Sequence, residues 1–256
     1  YTLLSDPDSE MIRKFGILNT LIDPGDHPWF GIPYPGTYVI DSNGTITHKF
    51  FDSNLAVRAG PEQLLRAVRG DSAAASNADV GSTETDEVTM SVFLDGDSLT
   101  PTVQRDLVIR FSVPEGRHVY AEPAPAGSVA LEVTLDTNER IVKRPLVRPA
   151  SESHTLAGTS ESFPVQQGAF EVRLPLTVNG GVLADDGNAS LTISGTVRWQ
   201  SCDEEVCDIP VTRSFELTVP VTKSPPVALW GDEGVALEPN ARAHFQRMTE
   251  RREKGA

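Results

Sequence analysis

The feature that most constrains the fold is a change in hydrophobic periodicity near residue 87. Beyond it, apolar and polar residues alternate with period two, as in strands that bury one face. The candidate strands are Val88–Leu94, Leu107–Val113, Val129–Leu135, Phe170–Val178, Leu191–Gln200 and Arg213–Val221. Many strands at short spacing, separated by Gly, Pro and Asn turns and by no helical stretch, predict an all-β antiparallel sandwich.

Residues 1–70 read instead as alternating strand and helix. The turn Ser5–Asp8 precedes apolar residues at helical spacing, which predicts a short helix. Thr37–Ile40 and Thr45–Phe51 flank an Asn-Gly turn and predict a hairpin. Pro61 suits the first turn of a last helix. This segment therefore predicts an α/β domain.

Two further segments divide the chain. Residues 71–86 are small, polar and free of aromatic residues, so they cannot bury enough surface to order themselves, and we expect a flexible linker. Residues 223–256 are Pro-rich and then charged, which predicts a tail with a short helix. The expected domains are thus 1–70 and 87–222, the second being a β-sandwich.

The charge balance excludes some partner classes. The formal net charge is −14, whereas nucleic acids and anionic lipid surfaces recruit Lys and Arg. We therefore expect no nucleic-acid partner. No apolar run approaches the length of roughly 18 residues that a membrane span needs, so none is expected in this chain.

The chain has two cysteines, Cys202 and Cys207, on either side of a short predicted hairpin loop. A hairpin of this length can bring the two Cβ atoms within disulfide reach. A bridge that only staples the hairpin would stabilise the fold by roughly 2 kcal/mol, because the closed loop is so small. The motif alone leaves a structural bridge and a redox-active pair both open. Zinc would need four ligands, and the histidines are scattered, so we expect neither a metal nor a cofactor.

Acidic residues surround the pair at Asp203, Glu204, Glu205 and Asp208. Negative charge disfavours a thiolate and raises the pKa of a cysteine. Our hypothesis is that the reduced pair reacts slowly with random disulfides until a partner supplies the right surface.

The first segment resembles the C-terminal half of the peroxiredoxins, the alkyl hydroperoxide reductase/thiol-specific antioxidant family, which has a thioredoxin-like fold. The resemblance rests on YTLLSDPDSEMIRKFGIL and IPYPGTYVIDSNGTITHKF. It implies that Pro35 is the counterpart of a proline that is commonly cis and lines the active site. Residues 1–70 contain no cysteine, and the family's central strand and cysteine-bearing helix would lie upstream. We therefore expect the sequence to be truncated at its N-terminus.

The second segment resembles the N-terminal periplasmic domain of the thiol:disulfide interchange protein DsbD, an immunoglobulin-like sandwich. The resemblance rests on PEGRHVYAEP and GTVRWQSCDEEVCDIP. Two residues depart from the family pattern, since Arg117 replaces an aromatic residue and Asp208 replaces a common Tyr. In the family a loop with a bulky aromatic residue and an acidic pair caps the cysteines. Here that cap corresponds to residues 154–158, with Leu156 in the aromatic position and no acidic pair.

The resemblance implies thiol–disulfide exchange through Cys202 and Cys207. It favours Cys207 as the cysteine of the mixed disulfide, while the sequence itself leaves both cysteines open. The partner would be a thioredoxin-like or other redox protein, or the fused first segment, in an extracytoplasmic compartment. The expected surroundings of the pair are Tyr120, His118, Leu156, Trp199 and Gln200, with Pro35 in the first segment. Two alternatives remain open: a binding module with a structural disulfide, and an accessory domain of an N-terminal thiol peroxidase or reductase.

Overall fold

The computed structural model describes residues 4–22, 30–70, 88–136, 138–156, 158–179 and 189–222. The predicted linker (71–86) and C-terminal tail (223–256) lie outside these ranges. The described residues form two compact units. The first holds 4–22, 30–37 and 51–55, and the second holds 38–50, 56–70 and the described residues from 88 to 222.

In the first unit, helix α1 (Glu10–Lys14) begins after the predicted turn. The carboxylate of Asp6 accepts hydrogen bonds from the backbone N–H groups of Glu10 and Ile12, each at 2.9 Å. The pKa of the Asp6 carboxyl is lowered, and the hydrogen bond from the Ile12 N–H is the largest cause. This acid therefore serves the start of the helix, where free N–H groups need acceptors.

The predicted hairpin is present as β1 (Gly36–Ile40) and β2 (Ile46–Phe51). In its turn, Asp41 Oδ1 accepts hydrogen bonds from the N–H groups of Asn43 and Thr45. Gly44 has φ +83°, a conformation that favours glycine, so the Asn-Gly signal in the sequence was a sound guide.

The remaining elements belong to the second unit. They are β3 (Arg58–Ala59), α2 (Pro61–Arg69), β4 (Thr89–Leu94), β5 (Val103–Ser112), β6 (His118–Tyr120), β7 (Glu132–Leu135), β8 (Ile141–Lys143), β9 (Glu152–Thr155), β10 (Ser162–Gln166), β11 (Ala169–Val178), β12 (Ala189–Trp199), β13 (Ser201–Cys202) and β14 (Val211–Val221). Each of the six strands predicted from the alternation is found, with ends shifted by a few residues.

Two sheets enclose the main core. One contains β4, β5, β11 and β8, and the other has the order β14-β12-β7. Buried residues alternate along β12 and β14, so each strand turns one face inward. Phe111 and Leu174 of the first sheet share one cluster with Ile193 and Leu217 of the second. The unit is therefore a β-sandwich, as predicted.

A third sheet positions the cysteines. Its strand order is β13-β6-β10-β9, and β13 continues the chain directly from β12. Along β6 the side chains alternate: Val119 packs into the main core, while Tyr120 packs into a separate small cluster with Cys202. The cysteine hairpin is thus attached to the sandwich through β12 and to this third sheet through β6.

Candidate functional site

Cys202 and Cys207 lie at the tip of a tight hairpin. The backbone N–H of Asp203 donates to Val206 O at 3.0 Å, and that of Asp208 donates to Ser201 O at 2.9 Å. Asp203 Oδ1 also accepts from the N–H groups of Glu205 and Val206, at 2.8 and 2.7 Å. These bonds lower the pKa of the Asp203 carboxyl, and the bond from the Val206 N–H has the largest effect. An aspartate at this position closes a turn on its own backbone.

The two cysteines are joined by a disulfide with an S–S distance of 2.00 Å and a Cα–Cα distance of 4.0 Å. They face each other as an isolated antiparallel bridge between the two hydrogen-bonded pairs of the hairpin. Their environments differ: Cys202 is 0% exposed, whereas Cys207 belongs to the exposed surface. The bond therefore joins a buried sulfur-bearing residue to a residue that a second molecule can reach.

Cys202 belongs to β13, and its side chain packs on one face of the third sheet. The strand register places His118 directly opposite Cys202, and Val165 opposite Tyr120. Cys202, Tyr120 and Val165 form the small buried cluster, against which Leu156 packs. Burial also raises the pKa of Tyr120. Of the sequence candidates, His118, Tyr120 and Leu156 are thus all gathered around the buried cysteine.

The expected cap is the hairpin of β9 and β10. Leu156 N–H donates to Glu161 O at 3.0 Å, which closes its turn. Of the proposed cap residues, Ala157 lies outside the described ranges. An aromatic residue that sequence reasoning missed, Phe163, packs on the same cluster and meets the Tyr120 ring edge-to-face at 6.5 Å. Reading 152–166 as a hairpin would have placed Phe163 opposite His154 and so on this face.

His118 is a buried polar residue, with 2% exposure, and its Nε2 atom has no hydrogen-bond partner. Its ring is 4.2 Å from that of His154 and 5.0 Å from that of Tyr120, measured between centroids. Desolvation lowers the pKa of His118, and the nearby charges of His154 and Arg117 act in the same direction. Glu204 and Asp203 oppose them. The imidazole is therefore held neutral near pH 7.

The two departures from the family pattern contact each other. The Arg117 guanidinium forms an ion pair with Asp208, and its Nη1 lies 3.8 Å from Asp203 Oδ2. Its Nε donates to Ser201 Oγ at 2.8 Å. One cation thus spans both sides of the cysteine hairpin and compensates two of its four acids.

Gln200 and Trp199 connect the cysteine hairpin to the sandwich. Gln200 Oε1 accepts from the N–H of Val129 at 2.8 Å, and its Nε2 donates to Asp208 O at 2.9 Å. Trp199 belongs to the main core, where it meets the Phe111 ring edge-on at 5.6 Å. Gln200 therefore holds the return segment beside Cys207, while Trp199 packs the sandwich beneath it.

Pro35 lies in the first unit, whereas both cysteines lie in the second. Within the described ranges the cis peptide bond is Glu122–Pro123, so the expectation of a cis bond before Pro35 is wrong. The trans form is the lower-energy state of an X–Pro bond. Here Tyr34 N–H donates to Ile17 O at 2.7 Å, and the chain continues in extended form into β1.

The described residues hold no cluster of three or more His, Cys, Asp or Glu suited to a metal ion. Nor does any helix among them have the length and apolar character needed to cross a membrane.

Comparison with known proteins gives a family match for the first segment. Residues 1–49 match the AhpC/TSA family model, which confirms the resemblance that the sequence indicated there. The match covers the start of the chain and none of the sandwich. No curated protein sequence matches the chain.

Solved structures similar to the chain include the N-terminal domain of Neisseria meningitidis DsbD in its reduced form. Identity is 15%, the match covers 48% of this chain and 78% of that one, and the TM-score is 0.32. The N-terminal periplasmic domain of ScsB from Proteus mirabilis has 13% identity, coverage of 59% and 53%, and a TM-score of 0.35. The chain thus spans about half of that ScsB domain. The CssB subunit of enterotoxigenic Escherichia coli follows, with 16% identity, coverage of 54% and 97%, and a TM-score of 0.23.

Proposed function

We propose that the second unit performs reversible thiol–disulfide exchange with a protein partner through Cys202 and Cys207. The observation that carries the proposal is the asymmetry of the bond, which joins a fully buried Cys202 to an exposed Cys207 at a hairpin tip. A bridge that only stabilised the hairpin would gain nothing from placing one of its cysteines at the exposed surface. An exchanging bridge needs an accessible sulfur for attack.

In the proposed reaction a partner thiolate attacks Cys207 Sγ. The Cys202–Cys207 bond breaks, and Cys202 leaves with the electron pair, so that a mixed disulfide joins Cys207 to the partner. A second partner thiolate then releases reduced Cys207. The reverse sequence oxidises the domain: Cys207 attacks a partner disulfide, and Cys202 resolves the mixed disulfide. Both directions conserve atoms and electrons, and the partner's reduction potential decides between them.

The surroundings suit this cycle because they keep the hairpin in place without the bond. Gln200 and Arg117 tie the segments on both sides of the cysteines by hydrogen bonds that do not involve sulfur. Leu156 and Tyr120 keep Cys202 away from water. We propose that the buried sulfur acts as the resolving group and stays close to Cys207 after reduction.

The exposed side of the site fits a protein rather than a small polar thiol. Val206 is 63% exposed and Ile209 is 87% exposed, on either side of Cys207. We propose as the partner a thioredoxin-like protein, either a separate one or the fused segment that includes residues 1–49. Disulfide cycling of this kind belongs to an extracytoplasmic compartment. The division into domains at 1–70 and 87–222 is part of the same proposal.

Trapping with single variants tests the proposal. The Cys202→Ser variant keeps the exposed cysteine and lacks the resolving one. It should accumulate a mixed disulfide with a purified thioredoxin that lacks its own resolving cysteine and whose attacking cysteine is activated as a mixed disulfide with 2-nitro-5-thiobenzoate, which leaves as the thiolate. Cys207→Ser is the matched control, since its remaining sulfur is buried, and it should accumulate far less. Failure of Cys202→Ser to form the adduct, or preferential trapping by Cys207→Ser, would contradict the proposal.

A further inference from the structure

Six side chains share one face of the third sheet, and two of them are histidines. The register places Cys202 opposite His118, Val165 opposite Tyr120, and Phe163 opposite His154. Alternation along β6 and β10 then puts all of them on the same side. The buried imidazole of His118 needs a reason, because its Nε2 has no partner and an unsatisfied buried polar atom is costly.

Cys202 is the neighbour that would use the free nitrogen. Directly opposed residues on one face of an antiparallel pair have Cβ atoms about 4.5–5.5 Å apart. In the disulfide, Cys202 has no proton to give, so His118 Nε2 remains without a partner. In the reduced state the Cys202 thiol gains an S–H group, which is a donor. The residue whose polar atom is orphaned in the oxidised form thus lies directly opposite a donor that reduction creates.

We propose that His118 is the proton acceptor for Cys202 when that thiol resolves a mixed disulfide. The inference rests on the proposed exchange function and adds the residue that makes its buried sulfur reactive. The S–H proton passes to His118 Nε2, and the Cys202 thiolate attacks Cys207 Sγ. The bond between Cys207 and the partner breaks, and the partner sulfur leaves as a thiolate. The domain's dithiol is oxidised, and the partner disulfide, which supplied the oxidant, is reduced.

The charges around His118 keep it in the form that this step requires. His154 and Arg117 oppose a positive imidazole, as does desolvation, whereas Asp203 and Glu204 favour one. The balance lowers the pKa of His118 below its usual value, so the neutral base predominates at pH 7. Once it has accepted the proton, the two acids on the cysteine hairpin stabilise the imidazolium. In reverse, the imidazolium protonates Cys202 as that sulfur leaves the broken disulfide.

The test separates the two cysteine steps with an aromatic disulfide, 5,5′-dithiobis(2-nitrobenzoate). The reduced full chain releases one coloured thiolate when Cys207 attacks and a second when Cys202 resolves the adduct, and stopped-flow absorbance follows both. The second rate should be flat near neutral pH and fall below about pH 6.5, as His118 becomes protonated. A second rate that instead rises steadily with pH, following thiol ionisation alone, would overturn the proposal without needing any variant.

The variant His118→Gln should slow the second release about a hundredfold near neutral pH and leave the first unchanged. It should also remove the break in the pH profile, which a purely structural role would not do. His48→Gln replaces an exposed histidine of β2 and is the matched control. If His118→Gln keeps the normal second rate while a thioredoxin adduct still forms, this inference fails and the exchange function stands. If no protein adduct forms but the second release depends on His118, the exchange function fails and the assignment of His118 as the proton acceptor stands.

Discussion

Reducing the disulfide should weaken the fold only slightly, and the size of the effect follows from the small loop. Cys202 and Cys207 are separated by 5 positions, so the bond restricts a very short stretch of the unfolded chain. Loop-closure entropy for such a ring amounts to roughly 2 kcal/mol. Cys202 lies outside the main core, and the bonds made by Gln200 and Arg117 remain after reduction. We therefore expect the reduced sandwich to stay folded.

Urea unfolding of the full chain with and without reductant measures this effect. The free energy of unfolding should fall by about 2 kcal/mol with an unchanged m-value, because the surface exposed on unfolding stays the same. The double variant Cys202→Ala/Cys207→Ala is the control and should not respond to reductant. A loss of about 5 kcal/mol or more, or a reduced chain without a cooperative transition, would refute the reasoning and identify the bridge as structural.

Three other predictions concern the residues around the pair. Arg117→Met leaves the hairpin acids uncompensated, so the thiol pKa of reduced Cys207 should rise by up to about one unit, measured by pH-dependent alkylation; an unchanged pKa would contradict the electrostatic account. Gln200→Leu orphans two backbone groups and should cost about 1–3 kcal/mol in urea unfolding, and a neutral result would argue against its supporting role. Because the pKa of His118 is lowered, the unfolded chain takes up a proton near pH 6.5 and the folded chain only below that, so the free energy of unfolding should fall as the pH drops through this window. His118→Gln should flatten that dependence, and an equally steep one would show that another group is responsible.

The long strands of the sandwich could be predicted from the sequence because their alternation reports one buried face. In β14 each of Phe215, Leu217, Val219 and Val221 is buried and their neighbours are exposed. The short strands β6, β9, β10 and β13 were not identified as strands, since two to five residues are too few to reveal a period. These short strands form the sheet around Cys202, so the site was less predictable than the core.

Pairings between distant residues were also beyond the sequence. Arg117 and Asp208 were each recognised as unusual, but 91 positions separate them, and only the fold brings them into contact. Helix α2 was expected from Pro61, yet its buried contact with the sandwich was not. Arg66 forms ion pairs with Asp95 and Asp106, two buried acids that local sequence does not distinguish from solvent-exposed ones.

The reduction potential of the Cys202–Cys207 pair tests the central claim most directly. The full chain can be equilibrated in glutathione and dithiothreitol buffers and its free thiols quantified by alkylation. A pair that exchanges with partners should have a potential well above about −300 mV, whereas a structural bridge lies below it. The account predicts the higher value, and a potential below about −300 mV would contradict it.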